Sequence, residues 1–449
     1  MKHVEQLAGK LPKRAYLVAG LLVRLFLAPF LSHPFDMRVF MAVGAAVAKG
    51  ITPYGQYFLR DIFAATPHPH LYGTVPGIGY PPLWGLISGE MYSLSSAIAP
   101  NNLYAYVLAL KIPIILAEIA TALLIYNILK TRIGEKTASK AFLLFLFCPF
   151  IISVGTVWGM FDILALFFAL FSAYTLRNNW KLSSTCLSVA SLLKLFPLTL
   201  APLYSVILYK SSRNWKVALK FSSFAVGLTV FLTFLPMIVF NWPISNMYNA
   251  LIYHVETANP SYYSQTAFPY GAASPFNVFT LINDLGAKDF QPPSAMIYVW
   301  IPACIAIYAL ASRSRKLAFG KDIGGSNSYF ALTVQWSLLL LLTLFTTRMW
   351  VSEQNLTFLF TFLALSVFIQ NPKDLGRVHT LWLLLFSFVL VHVPVTAFLW
   401  LPYPWTLNVA TSFADGPLGW TRLLLMTVLT FSWLALSWDY VIRKLRWRP

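Results

Sequence analysis

Apolar residues occur along this chain in long runs and show no alternation with polar ones. Between Ala15 and Tyr440 the runs repeatedly reach a length that crosses about 30 Å of hydrocarbon as a helix of roughly 18 residues or more. A backbone inside a bilayer must satisfy its own hydrogen bonds, so each run is expected to be helical. The pattern therefore predicts an all-α polytopic membrane protein.

The runs predict about twelve transmembrane helices in a single domain that covers residues 1–449. The predicted spans are residues 15–32, 103–129, 141–156, 161–176, 182–194, 197–209, 221–240, 293–311, 328–347, 351–369, 378–400 and 420–440. Two further apolar segments, 36–50 and 81–98, are predicted to be juxtamembrane helices that do not span. They lie in a first outer loop, residues 33–102, and a second outer loop covers residues 241–292.

Charge supports this arrangement. The chain is 58% apolar and 11% charged, with a mean hydropathy of +0.66 and 33 Lys+Arg against 15 Asp+Glu. The basic residues gather in connections predicted to be cytoplasmic, four each in 1–14, 130–140, 210–220, 313–321 and 443–448 and two each in 177–181 and 373–377. Such asymmetry indicates topology, so we expect no nucleic-acid partner.

Several kinds of chemistry have no sequence signal. No phosphate-binding glycine loop and no GxGxxG dinucleotide motif is present, so a nucleotide substrate is not expected. The three cysteines, Cys148, Cys186 and Cys304, lie in apolar segments without ligand spacing. We therefore predict no cofactor and no metal site.

Asp36 is the main candidate for catalysis. It follows the first span in the sequence His-Pro-Phe-Asp-Met-Arg, at the predicted outer membrane surface. One interpretation is a general base that takes a proton from an acceptor hydroxyl, and the other is a helix N-cap after Pro34.

Five further residues in predicted outer turns are candidates for binding substrate. Tyr80 precedes two prolines that begin a helix. Asp162 and Lys194 are charged residues at the membrane edge, where they either bind substrate or form an ion pair with each other. Arg348 is one of few outer cations, and a guanidinium suits a phosphate. Glu353 follows it in the same turn.

The second outer loop adds His254 and Glu256, with tyrosines around them. Aromatic rings suit sugars, but they equally form the aromatic belt at the lipid headgroups. The His-x-Glu spacing lacks the partners of a zinc site.

These features together resemble the GT-C superfamily of membrane glycosyltransferases. The likeness is greatest to the group that contains actinobacterial polyprenyl-phosphate-mannose-dependent mannosyltransferases and the catalytic subunit of GPI mannosyltransferase I. It rests on Asp36, Tyr-Pro-Pro-Leu at 80–83, Trp-Gly-Met-Phe-Asp at 158–162, Leu-Lys-Leu-Phe-Pro-Leu at 193–198 and Val-Ser-Glu-Gln-Asn at 351–355.

The resemblance implies an inverting hexosyltransferase, most of all a mannosyltransferase, that uses a polyprenyl- or dolichyl-phosphate sugar donor. Asp36 would be the base, Arg348 and then Lys194 would bind the donor phosphate, and Tyr80, Asp162, His254, Glu256 and Glu353 would bind substrate. The acceptor would be a membrane glycolipid or glycan. The site would be extracytoplasmic, in the plasma membrane or, in a eukaryote, the endoplasmic reticulum.

Two other functions remain open from the sequence. A transporter or flippase of lipid-linked saccharides would place charges along a midplane pathway between repeated halves, and no internal repeat is evident. A polymerase or ligase of lipid-linked glycans would share the carrier chemistry. A partner subunit is not predicted by any feature of the chain.

Overall fold

The fold is mostly helical. A computed structural model describes residues 12–60, 73–256, 272–284, 294–314 and 325–444, except 371 and 373. In chain order its α-helices are α1 (Lys13–Leu27), α2 (Pro34–Ala48), α3 (Leu83–Ile98), α4 (Leu103–Arg132), α5 (Glu135–Leu146), α6 (Pro149–Ile152), α7 (Asp162–Thr175), α8 (Trp180–Leu193), α9 (Leu200–Ser212), α10 (Trp215–Val239), α11 (Ile244–Glu256), α12 (Asn277–Asp284), α13 (Trp300–Arg313), α14 (Gly325–Thr347), α15 (Leu356–Gln370), α16 (Leu375–His392), α17 (Thr406–Asp415) and α18 (Gly419–Lys444).

Shorter elements join these helices. A π-helical turn, Ser153–Trp158, continues α6, and 3₁₀ turns are formed by Phe196–Thr199, Ser294–Tyr298, Glu353–Asn355 and Val395–Leu399. The expectation of an all-α chain missed a small antiparallel ribbon in the first outer loop, β1 (Gln56–Phe58) and β2 (Thr74–Pro76). Strands of three residues show too little alternation of apolar and polar positions to be recognised in the sequence.

Within the described residues, seven helices are long and apolar enough to cross a membrane. They are Leu103–Arg132, Glu135–Trp158, Trp215–Val239, Ala295–Arg313, Tyr329–Thr347, Leu375–His392 and Gly419–Arg443. The chain is thus a helical membrane protein. The other five predicted spans contain helices of 13 to 15 residues, namely α1, α7, α8, α9 and α15, so a total of twelve spans stays a prediction.

Side chains fix where several of these helices begin. The Asn102 carboxamide accepts from the backbone N–H of Ala105 at 3.1 Å, and Asn179 caps α8 in the same way. Pro34 and Pro149 stand in the first turn of their helices, where the missing N–H costs nothing.

The connections predicted to share the cytoplasmic side contact one another at one end of the bundle. Lys13 forms an ion pair with Glu135, and the Lys210 ammonium donates to the Ser314 carbonyl at 3.3 Å. Further contacts of this kind join Arg132 with Phe330, Arg177 with Tyr329, and Arg377 with Asp439. These contacts agree with the predicted grouping, and the side of the membrane that the connections face stays a prediction.

The juxtamembrane segments of the first loop are the helices α2 and α3, which pack against each other. The sequence predicted that the 36–50 segment lies flat in the interface, yet Met37 and Val39 to Ala46 are all buried. The Tyr106 hydroxyl of α4 also donates to the Met41 carbonyl at 2.9 Å. Helix α2 is therefore a core element that sets the position of Asp36.

The buried charged side chains Arg24, Glu118 and Lys111 bond to neighbouring side chains or to backbone carbonyls. Arg24 donates from Nε to Glu118 Oε2 at 2.5 Å, and the Thr156 hydroxyl donates to Glu118 Oε1 at 3.0 Å. The Lys111 ammonium donates to the carbonyls of Ala28, Leu31 and Val157. These contacts join α1 and α4 to the π-helical turn.

Candidate functional site

Asp36 stands in the first turn of α2 and does not cap it. The N-cap is His33, whose Nδ1 accepts from the Asp36 backbone N–H at 3.2 Å. One carboxylate oxygen, Oδ2, accepts from the indole Nε1 of Trp158 at 2.7 Å and lies 3.2 Å from His33 Nδ1. No described residue hydrogen-bonds the other oxygen, and the side chain is 25% exposed. The carboxylate is held through one oxygen, and its side chain is partly exposed.

His33 links this carboxylate to the rest of the site. Its ring stacks on Trp158 with centroids 4.4 Å apart and planes 6° from parallel. Burial lowers the pKa of His33, which the neighbouring Asp36 carboxylate opposes. A neutral ring is what the cap requires, because Nδ1 accepts the Asp36 N–H only when it carries no proton.

Trp158 reaches Asp36 because the backbone before it is irregular. It ends the π-helical turn, and Gly159 follows with a φ of +95°, in the left-handed region. A Cβ on Gly159 would lie 2.5 Å from the terminal methyl of Met37, which a change of rotamer can move, so a larger residue is opposed mainly by the strain of the left-handed backbone. Single π turns of this kind are frequent at functional sites.

Asp162 and Lys194 form a buried ion pair beside Tyr80. The Lys194 ammonium lies 3.2 Å from Asp162 Oδ2 and 4.0 Å from the centre of the Tyr80 ring. Phe161 adds an aromatic face 4.9 Å from the same ammonium and stacks on Trp84. The positive charge of Lys194 is therefore balanced by Asp162 and enclosed by rings.

Arg348 differs from Lys194 in its surroundings. It lies half-buried in the turn after α14, and no described residue forms an ion pair or a side-chain hydrogen bond with it. Burial lowers the pKa of the Arg348 guanidinium, an effect that the nearby Tyr80 phenol opposes. Burial also raises the pKa of Tyr80, with Lys194 opposing and Asp36 reinforcing this shift. Tyr80 thus contacts Lys194 directly and interacts electrostatically with both Asp36 and Arg348.

Glu353 forms a second buried pair, with His392. Its Oε1 lies 2.5 Å from Nδ1 of His392, and both side chains are buried. Arg422 donates from Nη1 to the His392 carbonyl at 2.7 Å, which fixes the end of α16. His392 approaches Trp158 with ring centroids 6.5 Å apart. Glu353 is therefore linked to Trp158 through the His392 ring.

The second outer loop reaches the first. The Trp242 indole donates to the Gly50 carbonyl at 3.0 Å, and the Asn246 carboxamide to the Tyr54 carbonyl at 3.4 Å. His254 and Glu256 end helix α11, but their side chains lie outside the described part of the structure. Their assignment to the site stays a prediction.

The far end of this loop docks beside Arg348. The Ser274 hydroxyl donates to the Met349 carbonyl at 2.7 Å, and the Ala273 N–H donates to the Val351 carbonyl at 2.8 Å. These contacts hold the turn that carries Arg348.

No group of three or more His, Cys, Asp or Glu that could hold a metal is found in the described ranges. No family model matches this chain, and no curated protein matches it. The relation to GT-C glycosyltransferases stays a resemblance.

The structure joins five of the predicted site residues, Asp36, Tyr80, Asp162, Lys194 and Arg348, at one end of the bundle. It adds Trp158, His33 and His392, which the sequence did not single out as site residues. His33 and Trp158 lie in the same motifs as predicted residues, three residues before Asp36 and four before Asp162. His392 lies 39 residues from its partner Glu353, and no local pattern marks it.

Proposed function

We propose that this protein is an inverting glycosyltransferase that transfers a sugar, mannose in the first instance, from a polyprenyl-phosphate donor to a membrane glycolipid or glycan. The strongest support is that the site contains both a candidate base and a candidate ligand for the donor phosphate. Asp36, whose carboxylate has one unengaged oxygen, and Arg348, which has no anionic partner in the described structure, both interact with Tyr80.

The chemistry assigns one task to each group. Asp36 takes the proton of the acceptor hydroxyl as the acceptor oxygen bonds to the anomeric carbon. The bond from that carbon to the phosphate oxygen breaks, and its electron pair stays with the phosphate. Arg348 stabilises this growing charge. A single displacement inverts the anomeric centre, so a β-linked donor gives an α-linked product.

Charge balance favours Arg348 over Lys194 as the phosphate ligand. Lys194 already has Asp162 as its counter-ion, and breaking a buried pair leaves an uncompensated charge. A sugar phosphodiester carries one negative charge, which one uncompensated guanidinium matches through a bidentate contact. Lys194 then supports the site by fixing Asp162 and Tyr80.

Helix length supports a lipid-linked donor. Helices α7 and α8 have 14 residues each and end near Asp162 and Lys194. At 1.5 Å per residue each is about 21 Å long, shorter than the roughly 30 Å hydrocarbon core. A site at these ends would lie below the membrane surface, where the phosphate of a lipid carrier is close at hand.

The buried charges give no support to a transporter. A transport pathway would expose unpaired polar groups near the midplane. Arg24, Glu118 and Lys111 instead bond to each other's helices and to backbone carbonyls. They hold the bundle together.

The test is transfer by the purified protein in proteoliposomes that contain radiolabelled polyprenyl-phosphate mannose and a glycolipid extract. We expect label to move from the carrier to a new glycolipid. Movement of intact labelled donor between leaflets without any new product would refute the proposal and favour a flippase.

A further inference from the structure

The indole of Trp158 is the only group outside α2 and its cap, within the described residues, that hydrogen-bonds Asp36. It binds Oδ2 at 2.7 Å, a short distance for an N–H donor to a carboxylate. A carboxylate that is free to rotate presents either oxygen to a substrate in many orientations. One fixed oxygen leaves the other pointing in a defined direction.

The indole is itself held on several sides. Its ring is stacked by His33 at 4.4 Å and contacted by Phe398 at 5.7 Å. The backbone carbonyl of Trp158 accepts from the His33 N–H at 3.1 Å. The preceding carbonyl, of Val157, accepts from the Lys111 ammonium at 3.0 Å. A donor fixed in this way can orient a neighbouring side chain.

Burial alone does not explain the contact. Trp84 and Trp433 are fully buried too, and neither of their indole N–H groups has a hydrogen-bond partner in the described structure. This bundle therefore accommodates tryptophan without pairing its N–H. The bond from Trp158 to Asp36 spans 122 residues of sequence and joins two elements of the site.

We infer that Trp158 is a positioning residue for Asp36: its indole N–H fixes Oδ2 and leaves Oδ1 as the atom that takes the proton from the acceptor. The catalytic half of this inference rests on the proposed glycosyl transfer. The positional half, that the indole holds the carboxylate, does not depend on it.

The kinetic test is a double-mutant cycle. Trp158→Phe keeps an aromatic ring and removes the donor, so kcat should fall about 10- to 100-fold, as expected for a lost hydrogen bond to a charged group, while the donor KM changes little. In an Asp36→Asn background the same change should have no further effect, because the group it orients is gone. Trp433→Phe is the matched control, since it makes the same cavity without removing a hydrogen bond.

A second measurement detects the contact between Trp158 and Asp36 independently of enzyme activity. The indole ¹⁵N–H resonance of Trp158 is identified in detergent by its loss in Trp158→Phe. Asp36→Asn should shift this resonance, and Asp439→Asn, at the opposite end of the bundle, should not.

The outcomes separate the two proposals. If the wild type transfers sugar but Trp158→Phe behaves like Trp433→Phe, or if its effect adds to that of Asp36→Asn, the inference is overturned and the transferase stands. If the wild type transfers nothing, the proposed function fails, and the resonance decides the positional half. If Asp36→Asn leaves the indole resonance unchanged, the positional half of the inference is overturned. If the resonance shifts, the positional half is supported.

Discussion

Replacing Asp36 by Asn removes the proposed base with little change in shape. The structure indicates that the fold should tolerate this change. His33 is the N-cap and bonds the backbone of residue 36, so the cap survives. The Asn carboxamide oxygen can still accept from the Trp158 indole. What is lost is a negative charge in the first turn of a helix, about 0.3–1 kcal/mol.

The expected loss of activity is much larger than this loss of stability. General-base catalysis contributes typically 10²–10⁴-fold, equivalent to about 2.7–5.4 kcal/mol of barrier. Asp36→Asn should therefore melt near the wild type in detergent and lose label transfer in proteoliposomes by about that factor. Asp439→Asn, the same substitution near the start of α16, where Asp439 pairs with Arg377, should keep label transfer.

One result would refute the reasoning about the base. If the folded Asp36→Asn protein turns over at a near-native rate, Asp36 only supports the start of α2. Asp162, Glu256 and Glu353 would then be the remaining candidate bases. Asp162 and Glu353 are the less suited of these, because Lys194 and His392 already pair with them.

Arg348→Lys should raise the donor KM about tenfold and leave the acceptor KM unchanged, because an ammonium cannot form the bidentate contact; unchanged donor kinetics would move the role to Lys194. Lys194→Met should destabilise the protein by about 3–5 kcal/mol, because it leaves Asp162 buried without a counter-ion. Adding Asp162→Asn should recover much of the melting temperature. A double variant no more stable than Lys194→Met alone would contradict the ion pair. A cysteine at the exposed Ser245 should react with an impermeant thiol reagent in intact cells, and one at the exposed Ser212 only after permeabilisation, with the three native cysteines buried; the reverse pattern would invert the topology.

Much of the architecture was predictable because it depends on local composition. Apolar runs mark helices, and basic connections mark one end of the bundle. The break between the predicted spans 182–194 and 197–209 was predicted from the sequence, and α8 does end there at Leu193. Helix lengths were less predictable, since the cap and turn residues that end a helix within an apolar run leave little trace in hydropathy.

The site was predictable only one residue at a time. Charges in outer turns are few, so Asp36, Asp162, Lys194, Arg348 and Glu353 stood out individually. Their partners depend on contacts between distant segments. The sequence left open whether Asp162 pairs with Lys194, and it gave no reason to join Glu353 with His392 or Arg24 with Glu118. It also suggested Asp36 itself as the cap, a position that His33 occupies.

The π-helical turn means that this segment already holds one residue more than an α-helix of the same rotation. Each residue of an α-helix turns the chain by about 100°, and a π turn accommodates one residue more than an α turn. Deleting one residue between Pro149 and Trp158 would therefore let the turn revert to an α-helix with the indole still facing Asp36. Inserting one residue there would instead turn the indole by about 100° away from Asp36. The hydropathy of the segment would scarcely change, so an insertion that looks silent would separate the two halves of the site.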